Sequence, residues 1–101
     1  LTGHVAATDE QLMRRWLHAY AHAQNLVLRE WCDTESRWGE EWREAAMNYD
    51  YWMRLTVDEL HQMVAELHEV SERWNKKSQE RDAPADSEVV YVGLDAVPYR
   101  E

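Results

Sequence analysis

The feature that most constrains the fold is the segment MRLTVDELHQMVAELHEVSERW, residues 53–74. Thr56 and Glu59 form a T-x-x-E capping box, which is typical of the first turn of a helix. Apolar residues follow at steps of three and four and therefore share one helix face: Val57, Leu60, Met63, Val64, Leu67, Val70 and Trp74. The spacing predicts an amphipathic helix over about 56–78 that packs against another helix.

Within this helix the spacing is that of a short coiled-coil seam, because the steps alternate between four and three residues. The seam positions are Leu60, Val64, Leu67, Ser71 and Trp74. We predict a dimer interface at Leu60, Val64, Leu67 and Trp74. A homodimer is the favoured partner, because one small domain has few ways to cover its own apolar helix faces.

A second capping box begins an earlier helix, where Thr8 is followed by Gln11. Apolar residues then recur at helical spacing, and no Gly or Pro interrupts them before Gly39. The pattern predicts a long helix over about 8–31 and, after a break, a short helix over about 39–48. Residues 1–7 are unpatterned, and we interpret them as a lead-in from a preceding domain.

Two segments have the composition of strands. Residues 50–55 are aromatic and apolar but too few for a helix, and VVYVGLDAVP places alternate apolar residues on one face before Pro98. The alternating positions are Val90, Val92, Leu94 and Ala96. The predicted fold is therefore mainly α with a small β component (α+β), with two long helices, one short helix and two short strands in a dimer.

Composition excludes several functional classes. The net charge of −9 repels phosphate backbones, so the chain alone is not expected to bind nucleic acid. The single Cys32 excludes an internal disulfide, and no apolar run is long enough to span a membrane. No phosphate-binding loop, nucleophile motif or H-E-x-x-H metal motif is present. We predict a cytoplasmic protein that is not an enzyme and has no cofactor.

The order of motifs resembles the C-terminal half of ArsR-like winged helix-turn-helix bacterial regulators. The matching segments are RWGEEWREA, RLTVDEL, ELHEVSERW and VYVGLDAVP. The individual matching positions are Trp38, Glu41 and Trp42, then Leu55, Thr56, Glu59 and Leu60, then Val90, Val92 and Pro98. The resemblance covers about residues 8–98, and it implies one C-terminal dimerisation and effector-sensing domain over that range.

The departure from this family lies at the N-terminal side, because no winged helix, recognition helix or basic face is present. The paired-cysteine metal motif of arsenic and cadmium sensors is also missing, since Cys32 is the only cysteine. The resemblance therefore implies contact with DNA only through a missing N-terminal domain. A stand-alone helical protein–protein interaction module is the alternative.

The aromatic residues provide the candidate ligand site. Six Trp and five Tyr occur without any Phe, and indole rings suit a pocket for a planar aromatic effector. The candidate residues are Trp16, Tyr20, Trp38, Trp42, Trp52 and Trp74. The competing interpretation is that these rings form the core of a small domain or its dimer interface.

A metal site has weaker candidates. His18 and His22 are four residues apart on the first predicted helix, a spacing that lets two imidazoles share one face. Two histidines are too few to hold zinc, and His61 and His68 could contribute only across an interface. A His-based metal-sensing domain is thus the least favoured alternative, and we predict no metal site within one chain.

Overall fold

In a computed structural model, which describes residues 8–100, the chain is built from helices joined by irregular segments. Helix α1 spans Asp9–Thr34, and a 3-10 turn at Glu35–Arg37 follows it. Helix α2 spans Glu40–Ala45, and helix α3 spans Val57–Gln79. The helices therefore lie where the apolar periodicity predicts them.

Both long helices begin at the capping boxes. The Thr8 hydroxyl accepts from the Gln11 amide at 3.1 Å, while the Gln11 side chain accepts from the Thr8 amide at 3.0 Å. Thr56 and Glu59 repeat this exchange at 3.1 and 2.8 Å. Each box satisfies two amides that the first helical turn leaves without partners. The predicted starts of both helices are confirmed.

The ends of α1 and α2 differ from the prediction. Helix α1 continues beyond residue 31, and the Thr34 hydroxyl donates to the Glu30 carbonyl at 2.8 Å near its end. Helix α2 stops at Ala45, because Ala46 already has an extended backbone with φ −67° and ψ 153°. Gly39 is the N-cap of α2 and makes no side-chain hydrogen bond, and its carbonyl accepts from the amides of Trp42 and Arg43 at 3.1 Å each.

The α+β fold class is wrong, because residues 8–100 form no strand and no sheet. Residues 50–55 and 89–97 are irregular, as are Val90, Val92, Leu94 and Ala96. Alternating apolar residues satisfy only the side-chain requirement of a strand. Its backbone amides and carbonyls also need a neighbouring strand, and a lone pair of short strands is marginal in water. These segments leave their backbone open to solvent instead.

The chain divides into an N-terminal unit, Leu1–Asn48, and a C-terminal unit, Tyr49–Glu101. In the N-terminal unit, α1 leads through the 3-10 turn into α2. In the C-terminal unit, a turn after α3 is held by the Ser87 amide and hydroxyl, which donate to the Pro84 carbonyl at 3.0 and 2.6 Å. The following segment passes α3 where Ala96 lies beside Leu60 and Val64. The predicted lead-in at residues 1–7 lies outside the described residues.

A hydrophobic core is missing from the described part of the chain, where no side chain is fully buried. The chain exposes 10166 Å² of surface. A compact monomer of this mass would expose about 6,000 Å², and two separate compact halves about 7,200 Å² together. The helices thus form without enclosing their apolar faces. Among residues 8–100, no helix is long and apolar enough to cross a membrane.

Candidate functional site: the apolar face of α3

The apolar residues of α3 form one continuous stripe along the helix, which we call the α3 face. Its residues are Val57, Leu60, Met63, Val64, Leu67, Val70, Ser71 and Trp74. Leu60, Met63 and Ser71 are half-buried, whereas Val64 is 45% exposed, Leu67 41% and Trp74 60%. The predicted interface residues Leu60, Val64, Leu67 and Trp74 therefore share a face that the described chain leaves largely open.

Ser71 is the small, polar member of the α3 face. Its hydroxyl donates to the Leu67 carbonyl one turn earlier at 2.8 Å. Because this bond satisfies the hydroxyl inside its own helix, Ser71 can be covered by an apolar partner without an unsatisfied donor.

The C-terminal segment borders the α3 face on one side only. Ala96 and five α3 residues line an open groove of about 450 Å³. The α3 residues of this groove are Leu60, His61, Val64, Ala65 and His68. The opposite side of the face, which carries Met63 and Val70, does not contribute to the groove.

A ring contact holds the segment after Pro98 against the residues before α3. The Trp52 and Tyr99 rings meet edge to face, with centroids 5.2 Å apart and planes inclined by 71°. Both rings remain largely exposed, at 79% and 70%. The contact thus ties together two irregular segments, although it buries little surface.

The candidate ligand residues of the N-terminal unit form two pairs. Trp16 and Tyr20, one turn apart on α1, stack with centroids 5.4 Å apart and planes 3° from parallel. Trp38 and Trp42 meet edge to face at 6.1 Å, and both are half-buried. These pairs offer exposed or half-buried π surfaces on which a planar molecule could stack.

The other two candidates lie apart within the C-terminal unit. Trp52 precedes α3 and contacts Tyr99, whereas Trp74 lies near the far end of α3. The Lys77 ammonium group sits 4.8 Å from the centre of the Trp74 ring, a cation–π contact. From the start of α3 to Trp74 the helix rises about 25 Å. Trp52 and Trp74 therefore make separate contacts, and the effector pocket stays a prediction.

The metal candidates His18 and His22 are both exposed on α1. Within residues 8–100, no group of three or more His, Cys, Asp or Glu is arranged to hold a metal ion. Cys32 is exposed as a free thiol on the same helix. His61 and His68 line the groove beside Ala96 instead.

Charges lie along the outer surfaces of the helices. The side-chain ion pairs Arg14–Glu10 and Lys76–Glu80, at 3.3 and 3.9 Å, follow i,i+4 spacing and are exposed. Exposed pairs of this kind contribute little to stability. On α3 the charge is polarised, with Asp58 and Glu59 in the first turn and Lys76 and Lys77 in the last. Each end therefore carries the sign that its helix dipole favours.

Comparison of the chain with protein-family models, with curated proteins and with solved structures finds no match. The resemblance to ArsR-like regulators therefore rests on the sequence motifs alone.

Three contacts of the site were not predicted. The Trp74–Lys77 contact follows i,i+3 spacing, so the sequence carried a usable signal for it. The approach of Ala96 to α3 and the Trp52–Tyr99 contact join residues that are distant in sequence. No local sequence pattern predicts such contacts. The segments that make them, residues 50–55 and the segment around Ala96, were instead interpreted as strands of a sheet.

Proposed function

We propose that this chain is the dimerisation and effector-sensing domain of a DNA-binding transcriptional regulator of the ArsR-like winged helix-turn-helix type. The observation that carries the proposal is the open α3 face on a well-capped helix. Leu67 and Val64 remain 41% and 45% exposed although nearly half of the composition is hydrophobic. Large exposed apolar patches commonly mark association sites, so we expect a second subunit to bury the α3 face.

The net charge supports a model in which this domain dimerises and a separate domain binds DNA. With 20 acidic and 11 basic residues, the chain repels a phosphate backbone. DNA contact would fall to a separate, basic winged helix. Pairing of two copies here would fix the distance between two such winged helices and hence the spacing of the half-sites that they bind.

Effector binding would act through helix packing. A planar aromatic molecule stacked on Trp38 and Trp42, or on Trp16 and Tyr20, would favour one arrangement of the helices. Small helix shifts at a subunit interface can change the separation of attached domains. An effector alters the equilibrium only if it binds the two arrangements with different affinity.

The proposal predicts that the gene encodes a basic winged helix upstream of residue 8. The test is a gel-shift assay on a protein that contains both domains and on the 101-residue chain alone, and we expect duplex binding by the first and no salt-sensitive shift with the second. A planar aromatic effector would quench indole fluorescence and raise the melting temperature, because it binds only the folded state.

A gene that encodes no DNA-binding domain would contradict the regulator assignment. The same exposed face would then favour the alternative, a stand-alone interaction module that dimerises or binds another protein. A gel shift of duplex DNA by the 101-residue chain itself would contradict the assignment of DNA binding to a separate domain.

A further inference from the structure

We draw no further inference here: the strongest candidate, the open apolar face of α3, carries nothing beyond the proposed dimerisation, because apart from Ala96 at one edge nothing in residues 8–100 shows what covers it.

Discussion

Helices α1 and α3 are built alike at their starts but differ in what surrounds them. Both begin with a complete capping box and both run for more than twenty residues. Each helix carries half-buried apolar residues, such as Trp31 on α1 and Leu60 on α3, beside exposed ones, such as Trp16 and Trp74, both 60% exposed. In the described part of the chain, only α3 is seen to have an irregular segment beside it, where Ala96 lies next to Leu60. Local sequence therefore suffices to form each helix. Burial of its apolar face requires residues from a distant part of the chain or from another molecule.

The largest effect is expected from a charge on the α3 face. Leu67→Asp should weaken dimerisation at least about 100-fold, or about 2.7 kcal/mol, because it removes apolar burial twice per dimer and buries unpaired carboxylates. Sedimentation equilibrium over a range of concentrations measures this loss. Gln62→Asp adds the same charge on the opposite side of α3 and should leave the dimer intact. Equal effects from both variants would show that α3 offers no specific interface.

The two capping boxes provide a matched pair for the second prediction. Thr56→Ala and Thr8→Ala should each destabilise their helix by about 1 kcal/mol, because each removes the acceptor of an N-terminal amide. Only Thr56→Ala should also weaken dimerisation, since it frays the turn that carries Val57 and Leu60. Circular dichroism melts and sedimentation on both variants check this difference. If Thr8→Ala weakened the dimer more, α1 rather than α3 would be the principal interface helix.

The smallest effect concerns the segment after Pro98. Tyr99→Ala should cost only about 0.5 kcal/mol, at the low end for an aromatic pair, because Trp52 and Tyr99 are both largely exposed. The NMR signals of the Trp52 ring protons should nevertheless shift, because they lose the ring current of Tyr99. Tyr91→Ala is the control, because it truncates a tyrosine in the same segment without removing that contact. Similar Trp52 ring shifts in both variants would mean that the two rings are not in contact.

Sequence reasoning located the helices because their determinants are local. A capping box acts over four residues, and an apolar stripe repeats within two turns, so Thr56 and the seam after it were sufficient to predict α3. It failed for residues 50–55 and 89–97, because a strand requires a partner strand that periodicity cannot supply. The alternating residues Val90 to Ala96 have strand-like spacing without sheet pairing.

The candidate site was predicted in part for the same reason. The seam positions Leu60, Val64 and Leu67 follow from spacing and lie on one open face. The sequence could not show which of the aromatic candidates lie together. In the structure, Trp52 and Trp74 belong to different parts of the C-terminal unit and contact different neighbours. Contacts between distant segments depend on packing, which composition does not specify.

The central claim is that a second copy covers the apolar face that the single chain leaves open. Sedimentation equilibrium of the unmodified 101-residue chain at micromolar concentration tests it most directly. Dimerisation predicts a species of twice the 12.1 kDa chain mass that dissociates on dilution. A single 12.1 kDa species at every concentration would contradict the account.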